Sequence, residues 1–355
     1  MHKRATVKDI AALAEVSLGT VHYALSGKAG VSVQTRERIM EIARSIDYSP
    51  NSGAAALKRK PLTIAAVFPG TTEDGRYYYT DVWKGLRTMF NTARDFNINY
   101  IETPYYNGVN NHADELTQLL ETSKVDGLLS DGWTDDRGKL SLQRFINANI
   151  PVTLVTNDLP FSSRLCCVQP NYRITGRMLA EFMVPQIPPG AAILIGAGDV
   201  LMPSHYLTVE GFDSYLREKG LTNPVFKVHT QNNKTETLKH LVRVLQKENI
   251  SAAACVNARG SVILAQALIE TGMAGKITAL GSDLFEENFR FLSDGVFTSL
   301  LNKNSFMQAY IAAKCLIDYL ARGITPPNDS IYVGSEIVFQ SNAAMYQDGS
   351  SRLLL

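Results

Sequence analysis

The chain has 355 residues, 45% hydrophobic and 19% charged, a balance that excludes a disordered protein and leaves room for two or three compact domains. No stretch reaches the roughly 20 consecutive apolar residues of a membrane span, and the charged start Met-His-Lys-Arg-Ala-Thr-Val-Lys-Asp lacks the apolar run of a secretory signal. A cytoplasmic location with no membrane partner is therefore expected. The net charge of +1 hides an asymmetry: through Lys60 ten basic residues face five acidic ones, a net +5, and the remaining 25 basic and 29 acidic residues leave −4.

A basic head on a mildly acidic body points to a polyanionic partner for the head alone. Thr6-Val-Lys-Asp9 reads as a capping box, and Val7, Ile10, Ala11 and Ala14 share one face of the helix it opens. Ser17 opens a second short helix, with Val21, Ala24 and Leu25 inward. A turn of about three residues forces two such helices to cross steeply, as in a helix-turn-helix. Ser32 starts a third, longer helix through Ile46, whose Ile39, Ile42, Ala43 and Ile46 close a small core. On helix pattern alone a plain three-helix bundle fits equally well; the charge favours DNA. Next come Ser52-Gly-Ala-Ala-Ala-Leu57-Lys-Arg-Lys-Pro61, readable as a simple linker or as a helix whose Gly53 lowers its propensity by ~1 kcal/mol.

From Leu62 the pattern becomes short apolar strands alternating with helix-length amphipathic segments. Strands are expected at Thr63–Phe68, Ile98–Glu102, Gly127–Ser130, Val152–Val155, Ala192–Gly196, Val225–Val228, Ala252–Val256 and Ile277–Leu280, with Val296–Leu301 strand-like. Apolar strands joined by helical crossovers mean parallel sheets covered on both faces. Ligands in such sheets sit at the carboxyl ends of strands. That rule selects Tyr77, Tyr78 and Tyr79, then Asn157 and Asp158, then Asn257, Asp283, and Asn302 with Lys303. Each Asn or Asp serves equally well as a turn or helix cap, and surface or dimer packing is the lesser alternative for the tyrosine run. Cys166, Cys167, Cys255 and Cys315 show neither a CxxC pair nor metal spacing and read as small core hydrophobes in a reducing compartment.

The head resembles that of the LacI/GalR repressor family in Thr6-Val-Lys-Asp-Ile-Ala11, Val16-Ser17, Thr20-Val21, Leu25-Ser-Gly27, Val31-Ser32, Thr35-Arg-Glu-Arg-Ile39 and Tyr48-Ser-Pro-Asn51. The resemblance implies a small all-α helix-turn-helix DNA-binding domain over residues 1–49 and a hinge helix over 50–61. Over 62–355 it implies an α/β type I periplasmic-binding-protein-like domain of two parallel-sheet lobes. It also implies a homodimeric repressor on near-palindromic double-stranded operator DNA, released or tightened by a small carbohydrate-like effector. The second helix would enter the major groove, with Leu18, Gly19 and Tyr23 at base-reading positions and Thr20 facing phosphate. Thr6, Ser17, His22, Lys28, Asn51 and Lys58 would complete the DNA surface, and Leu57 would wedge into a minor-groove step.

The sequence departs from the family at several of these positions. The common Thr-Val-Ser-Arg run is Thr20-Val-His-Tyr23, which removes an arginine's bidentate guanine reading and leaves His22 or Tyr23 to supply contacts. Glu15 replaces the usual turn glycine or asparagine, at a cost of ~1 kcal/mol if left-handed. In the body, Tyr78 and Tyr79 fall where the family stacks aromatics on a sugar ring. Tyr206 stands where many relatives have arginine and Lys303 where a glutamine is frequent, a cation that points to an acidic or phosphorylated ligand.

No enzyme motif survives inspection. Gly196-Ala-Gly198 follows an apolar strand but lacks the third, helix-opening glycine of a dinucleotide fingerprint. Serine-hydrolase, P-loop and HExxH patterns are missing from the sequence, so no cofactor or metal is expected. His205, His229 and His240 read as structural or surface residues. A free-standing transport-binding protein is the rival reading of the body, and it would require export.

Overall fold

The computed structural model describes residues 5–25, 30–46, 48, 60–106, 109–132, 136–230 and 233–347. Lys28, Asn51, Leu57, Lys58 and the rest of the linker through residue 59 lie outside the described residues. The chain divides into two compact units, one running to Pro61 and one starting at Leu62.

The first unit holds α1 (Val7–Ala14), α2 (Leu18–Leu25) and α3 (Val33–Ser45). Each start is capped by the side chain its sequence supplies. Thr6 and Asp9 form a reciprocal capping box, Ser17 Oγ accepts from Thr20 N at 3.1 Å, and Ser32 Oγ accepts from Thr35 N at 3.1 Å. Ile10, Ala14, Val21 and Ile39 form the buried centre, with Val7, Leu25, Ile42 and Ile46 around it. Arg36 Nη1 donates to the Ala24 carbonyl at 3.1 Å and ties α3 to the end of α2. The turn between α1 and α2 rests on Glu15, whose φ of 53° and ψ of 43° put it in the left-handed region.

The second unit is two six-stranded sheets. The first has the order β11-β5-β4-β3-β1-β2, built from β1 (Leu62–Pro69), β2 (Ile98–Tyr105), β3 (Gly127–Asp131), β4 (Val152–Val155), β5 (Cys166–Pro170) and β11 (Ser330–Val333). The second has the order β12-β10-β9-β8-β6-β7, built from β6 (Ala192–Gly198), β7 (Val225–His229), β8 (Ile250–Cys255), β9 (Thr278–Ser282), β10 (Ser299–Asn302) and β12 (Glu336–Val338). Every pairing is parallel except β10 with β12.

On the first lobe lie α4 (Tyr79–Thr92), α5 (Val109–Thr122), α6 (Asp136–Asn147) and α12 (Ser305–Arg322). On the second lie α7 (Tyr172–Met183), α8 (Pro203–Glu218), α9 (Lys234–Lys247), α10 (Ala258–Glu270) and α11 (Glu286–Ser293). The chain ends its described part in the short α13 (Ala343–Gln347). It passes between lobes three times, at Pro170–Tyr172, Asn302–Ser305 and Val333–Glu336. Among the described residues no helix is long and apolar enough to cross a membrane.

Each expected apolar run became a strand, β1 to β4 and β6 to β10, the edge strands β2 and β7 included, while β5, β11 and β12 escaped the sequence pattern. The last two are edge strands of four and three residues, partly buried and alternating polar with apolar side chains, and β5 carries Gln169 and ends in proline. The strand expected at Ala252–Val256 starts earlier, at Ile250, because a register shift at Ala192 lets Ile250 join the pairing. Cys166, Cys167 and Cys255 are buried as expected, but Cys315 is only half-buried.

Glu15 generates a test. Replacing a β-carbon-bearing residue in the left-handed region by glycine relieves about 1–2 kcal/mol of steric cost and returns part of it as backbone entropy. Glu15→Gly in the full-length protein should therefore stabilise the head by up to about 1 kcal/mol, read as slower amide hydrogen exchange in α1–α3. Faster exchange would show that the Glu15 side chain contributes more than its backbone strain costs.

Candidate functional site

Two surfaces carry the candidate residues. On the head, α2 turns Val21 and Ala24 inward and presents Ser17, Leu18, Gly19, His22 and Tyr23 outward, with Thr20 half-buried. Leu18 is 48% exposed and Tyr23 46%. Thr6 is also exposed, at the start of α1. Thr20 Oγ1 lies 2.9 Å from Ser17 Oγ, so the two hydroxyls fix each other at the exposed helix start.

In the body, a cavity of about 190 Å³ lies between the lobes at the carboxyl ends of the strands. That is smaller than the roughly 300–1,000 Å³ of sites for drug-sized molecules. Tyr78 and Tyr79 enter from the segment after β1, Thr156 and Asn157 from the end of β4, and Tyr172 from the start of α7. The second lobe answers with Ser204 and His205 at the start of α8, Asn257 and Arg259 at the start of α10, Asp283 after β9 and Lys303 after β10.

Behind this lining run two polar networks. Tyr79 Oη donates to Asp131 Oδ2 at 2.7 Å and Asn157 Nδ2 to Asp131 Oδ1 at 2.9 Å. The Tyr78 hydroxyl lies 3.0 Å from Thr156 Oγ1 and accepts from Gln308 Nε2 at 3.0 Å. Gln308 also donates to the Lys303 carbonyl at 2.7 Å and accepts from Thr156 Oγ1 at 3.1 Å. Lys303 Nζ is buried, 3.0 Å from Asp283 Oδ2, and donates to the Val256 carbonyl at 2.9 Å. It sits 5.6 Å from the Tyr78 ring centre, within cation–π range.

Burial dominates the titration of these groups. Asp131 is pushed up to about 6 by burial against the pull of its Tyr79 and Asn157 donors. Asp283 is raised by burial, with Lys303 pulling the other way. His205 is pushed down to about 3 by burial and by the Lys303 cation, so its ring is neutral. Its Nδ1 accepts from the Asp199 amide at 2.9 Å, which leaves the proton on Nε2 and makes that atom a donor. A side chain at residue 198 would collide with this ring, its Cβ lying 2.6 Å from His205 Nδ1, and Gly198 has φ of +65°. Of the two glycines at the end of β6, Gly198 makes room for His205 and Gly196 for the Cys255 side chain.

Two lining residues, Thr156 (φ 70°) and Asp283 (φ 72°), hold left-handed conformations without being glycine. Such strain costs about 1–3 kcal/mol per residue and concentrates at functional sites.

The cleft mouth is bridged by the turn Glu73–Tyr77 of the first lobe. Asp74 pairs with Lys234 and, at 3.2 Å, with Arg259. Arg76 pairs with Glu287 at 2.7 Å and lies 4.3 Å over the Tyr77 ring, which packs 4.8 Å from Phe285.

Of the residues selected from sequence, the structure brings Tyr78, Tyr79, Asn157, Asn257, Asp283 and Lys303 to the cavity. Asn257 also caps α10, accepting from Gly260 N at 2.9 Å. It does not bring in Asp158, which is clamped by Arg164 at 2.5 and 2.6 Å and closes its own loop. Nor does it bring in Tyr206, which points to solvent and is 45% exposed; its neighbour His205 takes the place. Asn302 bonds Glu336 at the lobe crossing and Tyr77 lies at the mouth. Lys303, read from sequence as a cation facing the ligand, is ion-paired with Asp283 inside the protein.

Sequence reasoning passed over Asp74, Thr156, Tyr172, Ser204, His205 and Arg259. The strand-end rule reaches Thr156, the first residue past β4, and the starts of α7, α8 and α10 as well.

A trihelical head precedes a two-lobed α/β body with a cavity between its lobes. A family model described as periplasmic binding protein domain matches residues 65–324, and one described as bacterial regulatory proteins, lacI family, matches residues 6–51. The chain belongs to the lacI family of bacterial regulatory proteins, its body being a periplasmic-binding-protein domain.

It is 23% identical over 220 residues to the HTH-type transcriptional regulator pepR1 of Lactobacillus delbrueckii, covering 61% of this chain and 62% of that protein. It is 33% identical over 129 residues to the ribose operon repressor of Haemophilus influenzae, covering 35% and 36%. These matches span less than two thirds of either relative. Among solved structures, an ABC transporter solute binding protein from Burkholderia graminis in complex with D-arabinose has TM-score 0.71 at 18% identity, covering 80% of this chain and 96% of that one.

Asp131 and the Lys303–Asp283 pair yield two tests. Between its ordinary value of 3.8 and about 6, Asp131 holds a proton in the native state that the unfolded chain has lost. Its stability contribution is thus full below about pH 4 and is lost as pH rises through about 6. Relative to wild type, Asp131→Asn should gain about 3 kcal/mol between pH 4 and 7; parallel urea-unfolding curves would remove the assignment. Lys303→Met strands a buried carboxylate and should cost about 3–5 kcal/mol, most of it recovered in Lys303→Met with Asp283→Asn, by thermal unfolding.

Proposed function

We propose that the protein is a cytoplasmic transcriptional repressor that binds a near-palindromic operator as a homodimer through α2. Its operator affinity is set by a small, uncharged, polyhydroxylated ligand of the monosaccharide class held between the lobes. The DNA role is supported by a basic head that keeps Leu18 and Tyr23 in solvent on one helix face, the arrangement needed to reach base edges. With Arg absent and Gly19 bare, Tyr23 and His22 supply the reading, and Thr6, Ser17 and Thr20 hold phosphates. Lys28, Asn51, Leu57 and Lys58 extend the same proposal into the linker.

The ligand class rests on one observation: the buried charge at the centre of the lining already has its counter-charge. Lys303 faces Asp283 and His205 is neutral, while at the mouth Asp74 is shared between Arg259 and Lys234. A charged ligand would bury an unmatched charge, which is strongly unfavourable. An uncharged ring finds donors and acceptors in Asn157, Asn257, Asp283 and His205 and an aromatic surface in Tyr78 and Tyr79. The relative named a ribose operon repressor and the neighbour holding D-arabinose agree with this class.

Ligand binding and operator binding are then linked by one coupling free energy, equal in both directions. Two measurements check the scheme. In a thermal-shift screen, neutral aldoses and polyols should include a ligand that, at 100 times its Kd, adds about 2.7 kcal/mol; stabilisation by sugar acids or sugar phosphates alone would overturn the neutral class. Selection from a random duplex library should yield a palindromic site whose affinity falls by about 0.9 log units per log unit of salt for each phosphate neutralised. Tyr23→Ala should relax preference at one half-site position. Equal, weak binding to every duplex would sink the DNA role.

A further inference from the structure

Two cations meet one carboxylate at the cleft mouth. Lys234 is the first residue of α9 and Arg259 the second of α10, so both stand at helix N-termini, where the backbone already presents positive potential and a further cation is unfavourable. Among the described residues, Asp74 is the counter-charge of both: Oδ1 contacts Lys234 Nζ, and Oδ2 lies 3.2 Å from Arg259 Nε. The match is incomplete, since Arg259 Nε is buried and makes no hydrogen bond. A guanidinium carries five donors in a planar fork that fits a carboxylate or phosphate, and Arg259 lines the cavity together with Asp74. The turn fixes where that carboxylate stands. Glu73 before it is left-handed, with φ of 48°, and a β-carbon at residue 75 would lie 2.1 Å from the Gly70 carbonyl oxygen, which leaves room for glycine alone. Arg76 Nη1 donates to the Glu73 carbonyl at 3.2 Å and closes the loop around Asp74.

We propose that Asp74 sets the charge specificity of the cleft: its carboxylate fills, from within the chain, a subsite that Arg259, Lys234 and two helix N-termini would otherwise offer to an anionic group on the ligand. This role rests on the reading of the cleft as a neutral-sugar site. Two cations converging at helix N-termini are what a sugar phosphate or sugar acid needs. With Asp74 in place, such a ligand meets a carboxylate of its own sign at the mouth, and like charges at close range are repelled. A neutral sugar meets no such penalty. Asp74 thus acts on the ligand through Arg259, as a specificity-determining residue that belongs to the first lobe and screens cations of the second.

Asp74→Asn keeps the side chain's shape and removes its charge. The full-length wild type and variant are titrated calorimetrically with neutral aldoses and polyols, with the matching sugar acids and sugar phosphates, and with inorganic phosphate, a probe that needs no sugar contact. The ratio of anionic to neutral affinity should rise by about tenfold or more in Asp74→Asn, and inorganic phosphate should bind the variant more tightly than wild type. Both gains should shrink with added salt and largely disappear when Arg259→Gln is added. Asp74→Ala should give the same shift in ratio, which keeps the test usable if asparagine distorts the turn, with folding checked by thermal unfolding. An unchanged ratio in folded Asp74→Asn and Asp74→Ala, or a gain that survives Arg259→Gln in full, would overturn the role of Asp74 and leave the neutral-sugar reading standing. Wild type that binds only the sugar acids or sugar phosphates would overturn that reading and the role of Asp74 with it.

Discussion

A buried ammonium has no water to fall back on, and the second lobe's half of the site is arranged around that constraint. Lys303 is satisfied by the Asp283 carboxylate and the Val256 carbonyl, so β8, β9 and β10 must end at fixed heights relative to one another. Asp283 meets the ammonium from a left-handed backbone, and Asn304, left-handed as well, starts α12 immediately afterwards. One turn along α12, Gln308 returns to the Lys303 carbonyl and reaches the Tyr78 hydroxyl. The cation of one lobe and the aromatic of the other therefore share a single hydrogen-bonded scaffold. Removing any member leaves buried polar groups unpaired, which costs more than the bond itself was worth.

The head was legible almost throughout because its signals are local. A capping serine or threonine, a left-handed turn residue and three apolar stripes each act over four residues, and all were where the sequence placed them. Nine strands were legible, the edge strands β2 and β7 among them, because each carries an apolar pattern long enough to read. Edge strands β11 and β12 carry none.

The site was half legible. The strand-end rule finds the right loops, but one residue of helical phase separates a lining side chain from an exposed one. His205 and Tyr206 differ by only that step. Asp158 failed for another reason: its partner Arg164 lies six residues on, and a salt bridge inside a loop has no sequence period. Lys303 lines the cavity, but its ion pair with Asp283 has no sequence signal, because a charge can be weighed only after its partner is known.

The bridge across the cleft mouth is built from partly exposed ion pairs. Arg76 and Glu287 are 47% and 30% exposed as side chains, and Asp74 is 33% exposed. Pairs this wet contribute about 0–1 kcal/mol each, and salt weakens them further. The buried scaffold behind them is far more costly to break. A useful coupling between two sites is about 1–3 kcal/mol. A few exposed ion pairs and the Tyr77–Phe285 contact fall in that range, whereas a cleft sealed by an apolar interface would stay shut whether or not ligand was present.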